Sequence, residues 1–122
     1  MAVIVRIVFL AVFMVLFAAA CRSVPVKEQT EVVINPSLIY EDCMELQPGE
    51  VLAYDFDCIK SVNFTIRYRQ GDHITYKITK NNTTIHRDTF YADKKEIYCL
   101  SWANPHSSPT RLTYSYRVMK AR

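Results

Sequence analysis

The feature that most restricts the fold is a strict alternation of apolar and polar side chains in the middle of the chain. Val62, Phe64, Ile66 and Tyr68 are separated from one another by single polar residues. Because successive side chains of a β-strand point to opposite faces, a period of two indicates a half-buried strand. Apart from the N-terminal segment, no part of the chain shows a convincing helical period.

The same alternation recurs on both sides of this segment, and turn-forming residues lie between the repeats. Turns are predicted at Pro48-Gly49, at Gln70-Gly71-Asp72 and at Asn81-Asn82. The strands predicted between and after them cover residues 52–56, 62–69, 74–79, 84–91, 96–102 and 112–118, with a possible short edge strand at 32–34. About seven short strands with turn signals between them favour an all-β fold, an antiparallel β-sandwich.

An apolar segment precedes the β-rich part of the chain. Residues 7–20 are apolar, one positive charge at Arg6 lies upstream, and a polar stretch follows. This arrangement predicts a secretory signal peptide over residues 1–20. The run is shorter than the ~20 residues of a spanning helix. Residues 1–5 could extend it past Arg6, so an uncleaved anchor stays open.

The signal segment ends in Ala18-Ala19-Ala20-Cys21, which resembles the lipobox of bacterial lipoproteins. The resemblance implies that Cys21 is acylated after cleavage and that the lipid holds the protein to a membrane. Arg22 is not the aspartate that resembles an inner-membrane retention signal, so the resemblance implies the outer membrane, facing the periplasm. Ala18 and Ala20 would also suit an ordinary signal peptidase, which would leave Cys21 as the first residue of a secreted chain.

The chain after residue 20 divides into two predicted parts. Residues 21–37 contain a proline and no lasting period, so they are predicted to be a tether, and residues 38–122 form one domain. The full chain carries a formal charge of +3, of which Arg6 contributes one, so the part after residue 20 carries +2. Such a mild charge does not favour a nucleic-acid partner.

Two cysteine-containing segments together resemble a known domain family. The first is Cys43-Met44-Glu45-Leu46-Gln47-Pro48-Gly49-Glu50, and the second is Tyr98-Cys99-Leu100-Ser101-Trp102-Ala103-Asn104. Over residues 38–119 the chain is similar to the GOLD domain, a β-sandwich of cargo receptors in the early secretory pathway. The resemblance implies a disulfide between the early and late cysteines, here Cys43 and Cys99. Bonds from Cys58 to Cys99 or to Cys43, or no bond, remain alternatives.

No pattern in the sequence is typical of an enzyme or of a metal or cofactor site. His73, His86 and His106 lie in predicted turns or weak strands without a nucleophile pattern, and closely spaced Cys or His ligands are absent. Cys58 shares a strand face with apolar neighbours, so it is predicted to be a small buried residue. Asp55 and Asp57 alternate with the apolar set and are expected on the outer face.

A basic strip on one predicted hairpin is the candidate binding surface. Arg67 and Arg69 lie on the outer face of one strand, and Lys77 lies on the outer face of its partner. Neighbouring cations of this kind can contact an anionic partner.

These features favour a non-enzymatic, lipid-anchored protein of the cell envelope, an interaction or binding module. Its expected partners are the membrane, through the N-terminal lipid, and an unknown protein or anionic envelope component. The alternative is a secreted or early-secretory-pathway GOLD-domain protein that binds cargo. It would be glycosylated at the sequons that begin at Asn63, Asn81 and Asn82.

Overall fold

A computed structural model describes residues 24–120, which form a single antiparallel β-sheet. The signal segment 1–20 and the acylation site Cys21 lie outside the described residues. Six strands make up the sheet: β1 (Val26–Ile34), β2 (Ile39–Leu46), β3 (Glu50–Gln70), β4 (His73–Tyr91), β5 (Glu96–Ala103) and β6 (Thr110–Lys120). Within residues 24–120, no helix is long and apolar enough to cross a membrane.

The long strand β3 divides the sheet into two halves. Residues 50–58 of β3 pair with β6, whereas residues 63–68 pair with β5 along the same edge. The other edge of β3 pairs with β4 along most of its length. The β6 half therefore contains β1, β6, the first part of β3 and the second part of β4. The β5 half contains β2, β5 and the remaining parts of β3 and β4.

The two halves face each other across an aromatic core. The ring centroids of Trp102 on β5 and Tyr114 on β6 are 4.7 Å apart. Phe56 on β3 lies 5.9 Å from Trp102, and Phe64 lies 4.8 Å from Phe56. The sheet thus curls so that its apolar face is enclosed, and burying these large rings supplies the main stabilisation.

The prediction of an all-β antiparallel fold is confirmed, although the strands are fewer and longer than expected. The segments predicted at 52–56 and 62–69 are one strand, β3, which bends where its pairing with β4 shifts register. The predicted turn at Asn81-Asn82 is instead an irregularity inside β4. Asn82 adopts a positive φ of 53° and donates its backbone N–H to the side chain of Asn63. Asparagine tolerates this conformation, so the strand continues instead of turning. All strands belong to one hydrogen-bonded sheet, and the GOLD-like sandwich stays a prediction.

The turn predicted at Pro48-Gly49 is confirmed. The N–H of Glu50 donates to the carbonyl of Gln47 at 3.1 Å, and Gly49 has a φ of 84°. Proline followed by a glycine of positive φ is the pattern of a type II turn. A substitution at Gly49 would be strained by this backbone conformation.

The prediction of a tether over residues 21–37 is wrong for Val26–Ile34, which form β1. Val32 and Ile34 face the core, and β1 pairs with β6 from Val26 opposite Arg117 to Ile34 opposite Thr110. The polar residues of β1 hid this alternation, because an edge strand buries only part of its length. The sheet therefore starts well before residue 38.

Side chains link the two edge strands β1 and β2. Lys27 of β1 donates to Asp42 of β2 at 3.0 Å, and the Tyr114 hydroxyl donates to the same carboxylate at 2.6 Å. The hydroxyls of Tyr40 and Tyr114 are 3.0 Å apart. Burial, and then the bond to Asp42, raises the pKa of Tyr114. These side chains therefore connect β1 and β2, which are not paired with each other through their backbones.

Cys43 and Cys99 form a disulfide, as predicted, and Cys58 is a free thiol. The two bonded residues lie directly opposite each other on β2 and β5, with their Cα atoms 4.0 Å apart. The bond therefore joins neighbouring strands of one half and lies on the outer face, not between the two halves. It ties the edge strand β2 to the centre of the sheet.

Removing this bond is expected to destabilise the fold. The two cysteines are 56 residues apart in sequence. Changing both Cys43 and Cys99 to alanine should lower the free energy of unfolding by about 2–4 kcal/mol, because the unfolded chain then gains freedom. Urea denaturation of both proteins measures this difference. Identical unfolding curves would contradict the assigned bond, and Cys58→Ala is the control for loss of a thiol elsewhere.

Candidate interaction surface

The predicted basic strip is present in part. Arg67 and Arg69 lie on the outer face of the β5 half, beside the disulfide, and Arg67 is opposite Cys99 in the pairing of β3 with β5. Arg67 is ion-paired with Glu41. The two arginines thus share a small depression, but one of them is already neutralised by a carboxylate.

The structure separates Lys77 from these arginines, so the predicted three-residue strip is wrong in this respect. The pairing of β3 with β4 shifts register between Ile66 and Arg67, which interrupts the alternation that placed Lys77 on the outer face. Lys77 is ion-paired with Asp93 at 3.4 Å. Hydrogen bonds from Thr75 and then Lys94 lower the pKa of Tyr68, a core residue, and the nearby charge of Lys77 adds a smaller contribution. A β-bulge of this kind cannot be recognised from alternation alone.

Among the described residues, one group has the geometry of possible metal ligands, namely Glu41, Cys43 and Cys99. The two sulfur atoms are joined in the disulfide. Because metal ligation requires free thiolates, this group does not form a zinc site.

One Ser–His contact occurs at the bend of β3. The Nε2 atom of His106 lies 3.2 Å from the Ser61 hydroxyl and 2.8 Å from the Ser61 carbonyl oxygen. A hydrogen bond to the carbonyl requires Nε2 to carry the proton, so it cannot accept one from the serine in that tautomer. His106 therefore secures the 104–109 loop against the bend and is not placed as a general base.

The other candidate nucleophile is also unsuited to catalysis. Cys58 is half-buried, and burial raises the pKa of its thiol to about 11. The thiol is protonated at neutral pH, whereas catalysis needs the thiolate. Of the other histidines, His86 contacts the Tyr54 hydroxyl at 3.0 Å, and His73 is exposed beside the β3–β4 turn.

The three sequons differ in accessibility. Asn63 lies within β3 between two neighbouring strands, and its side-chain oxygen accepts the N–H of Asn82. Asn81 and Asn82 are exposed at the irregularity of β4. The side chain of Asn63 is therefore engaged in the fold, while the other two point to solvent.

A second surface, which the sequence did not reveal, lies on the outer side of the β6 half. The strands β4, β3 and β6 there place their outward residues in register, in four rows across the sheet. The rows are Tyr91, Val51 and Met119; Thr89, Ala53 and Arg117; Arg87, Asp55 and Ser115; and Ile85, Asp57 and Thr113. We call this surface the β4–β3–β6 face.

A shallow trough runs along the β4–β3–β6 face above β3. One part, of about 530 Å³, lies over Ala53, and a second part, of about 400 Å³, lies over Asp57. Asp55 and Arg87 line both parts. The small side chain of Ala53 makes the first part possible, because larger residues surround it in the neighbouring rows.

Asp55 is the electrostatic centre of the trough. It accepts hydrogen bonds from the Ser115 hydroxyl at 2.5 Å and from Arg87 at 3.2 Å. The Ser115 bond first, and then Arg87, hold the pKa of Asp55 below its ordinary value. Asp55 is therefore charged at neutral pH, and its pair with the largely exposed Arg87 is too solvated to stabilise the fold appreciably.

Several exposed apolar side chains lie on the same side of the sheet as the trough, and one of them, Ile85, lines it. Half of the ten large hydrophobic residues that are exposed in the described chain lie on this side of the β6 half: Val26, Val33, Ile85, Tyr91 and Met119. Tyrosine, methionine and arginine are enriched in protein–protein interfaces. A face that combines these residues with a trough has the composition of a binding surface.

The sequence contained one hint of this face. Asp55 and Asp57 were correctly placed on the outer face, but as solvated groups. The pairing that brings Arg87 and Arg117 to either side of Ala53 depends on strand order, which alternation does not specify.

Comparison with solved structures shows a similar fold in an inhibitor protein. PliG from Aeromonas hydrophila, a periplasmic lysozyme inhibitor of g-type lysozyme, superposes with a TM-score of 0.59 at 7% identity. The match covers 75% of this chain and 85% of PliG. A de novo designed double-stranded β-helix has a TM-score of 0.42 at 17% identity, covering 76% of this chain and all of the design. No protein-family model and no curated protein matches the chain.

Proposed function

We propose that the protein is a non-enzymatic, lipid-anchored binding module of the cell envelope, and that it binds another protein through the β4–β3–β6 face. The observation that carries this proposal is a trough lined by charged residues on a face that also exposes apolar side chains. Large apolar residues exposed beside a groove are typical of an interaction site.

The arrangement of reactive groups supports a role in binding and not in catalysis. The serine, histidine and cysteine contacts described above lack a base and a nucleophile in working geometry. Fold likeness to an inhibitor, PliG, agrees with a protein that acts by binding.

Location in the envelope is supported by two independent features. The segment 1–20 followed by Cys21 resembles a lipoprotein signal, and Arg22 after it favours the outer membrane. The disulfide between Cys43 and Cys99 suits an oxidising, exported compartment. A domain anchored in this way would face the periplasm and would meet soluble envelope proteins there.

The fold likeness to PliG also suggests a class of partner. We propose that this chain, like PliG by its description, binds an enzyme of the lysozyme class. Arg67 and Arg69 form a second, smaller surface where an anionic envelope component could contact the protein.

Acylation at Cys21 is tested by Cys21→Ser, expressed from the full chain. The variant should leave the membrane fraction or accumulate as an unprocessed precursor, because the lipid would have no attachment atom. Membrane fractionation detects the release, and the intact mass distinguishes the unprocessed precursor from the cleaved protein. Cys58→Ser, which removes a thiol from the folded domain, should fractionate like the parent protein. Normal cleavage with unchanged membrane association of Cys21→Ser would exclude the lipid anchor.

The proposed partner class is tested by the turbidity loss of bacterial cell walls under g-type lysozyme. Addition of this protein at a modest molar excess should slow clearance severalfold, with binding detected by calorimetry. An unchanged clearance rate together with no binding heat would rule out g-type lysozyme as the partner.

A further inference from the structure

The part of the trough above Ala53 has a specific pattern of polar groups. Besides Asp55, its polar lining consists of Arg87, Asp88 and Thr89 on the β4 side, Ser115 and Arg117 on the β6 side, and Lys27 of β1. Neighbouring strands are about 4.8 Å apart, so β4 and β6 are separated by about 10 Å across β3. This width admits one extended peptide chain lying on the floor of the trough.

The two arginines, Arg87 and Arg117, differ in whether a carboxylate of the protein already pairs with them. Arg87 shares Asp55 with the Ser115 hydroxyl, and 84% of its side chain is exposed. Arg117 is exposed and has no ion pair within residues 24–120. The row that contains Ala53 therefore presents an unneutralised guanidinium directly beside a floor that carries no side chain larger than a methyl group.

Asp55 and Asp57 restrict what can occupy the trough. Their carboxylates lie along the same strand as Ala53, in the next two outward positions. A continuous polyanion such as a nucleic acid would meet both of these charges. A peptide with separated carboxylates can place one above Ala53 and neutral side chains above the aspartates.

We propose that this trough binds an extended acidic segment of a partner protein, with a carboxylate above Ala53 that contacts Arg87 and Arg117. The proposal rests on the proposed protein-binding function and adds the chemistry of the contact. The unpaired guanidinium of Arg117 supplies the charge that matches a carboxylate, and Arg87, which also pairs with Asp55, supplies N–H donors from the opposite wall. Thr89 and Ser115 supply further hydrogen bonds to the peptide.

The test uses two capped peptides, acetyl-Thr-Thr-Glu-Thr-Thr-amide and acetyl-Thr-Thr-Gln-Thr-Thr-amide, titrated into the ¹⁵N-labelled protein. The acidic peptide should shift the amide signals of Ala53, Thr89 and Arg117, and the shifts should weaken as salt screens the charges. The carboxamide peptide should bind at least about fivefold more weakly, since it lacks the charge that the arginines recognise. Equal shifts with both peptides, or none with the acidic one, would overturn the proposal.

Two variants locate the contact. Ala53→Trp fills the floor and should abolish the shifts, while Thr65→Trp places the same side chain on the outer face of the other half and should leave them intact. Arg117→Gln, a change at an exposed residue, should weaken acidic-peptide binding about three- to fivefold. This variant tests the site even if Ala53→Trp does not fold. Unaltered affinity in Arg117→Gln or in folded Ala53→Trp would contradict the site. If the acidic peptide does not bind while the lysozyme assay succeeds, the trough proposal alone fails.

Discussion

The structure depends on one strand that belongs to both halves of the sheet. β3 runs from Glu50 to Gln70 and pairs successively with β6 and β5 along one edge, while β4 follows the other edge. Because β3 bends between these two pairings, the sheet must curl, and its apolar face becomes an enclosed core. The aromatic contact between Trp102 and Tyr114 and the polar cluster around Asp42 exist only because the bend brings the halves together.

Curling also gives the two outer faces different characters. On the β5 half, the outer face carries the disulfide and an arginine that is neutralised by Glu41. On the β6 half, the register of three strands leaves a trough lined by charges and flanked by exposed apolar residues. The core is closed by aromatic packing, so exposed outward residues of the β6 half, such as Thr89 and Arg117, are available for recognition.

Strand type, the main turns and the disulfide could be predicted, because each leaves a local or family-based signal in the sequence. Alternation identified β3 and β6, the apolar run at 96–102 indicated β5, and the Pro48-Gly49 turn followed from its residues. Strand order could not be predicted, since it depends on contacts between residues far apart in the chain. For the same reason, β1 was not recognised within the predicted tether, and two predicted strands proved to be one strand, β3. A bulge in the pairing of β3 with β4, which separates Lys77 from Arg67, was also missed. The candidate site was missed because Ala53, Arg87 and Arg117 meet only through that strand order.

Photo-crosslinking in living cells tests most directly whether the β4–β3–β6 face is the binding surface. A benzophenone amino acid would replace Thr89, which borders the trough, or Thr79, an exposed threonine of the same strand on the outer face of the β5 half. Both positions are exposed, so they differ mainly in the face on which they lie. The account predicts a discrete protein adduct from position 89 and none from position 79. Adducts of equal yield from both positions, or from position 79 alone, would contradict it.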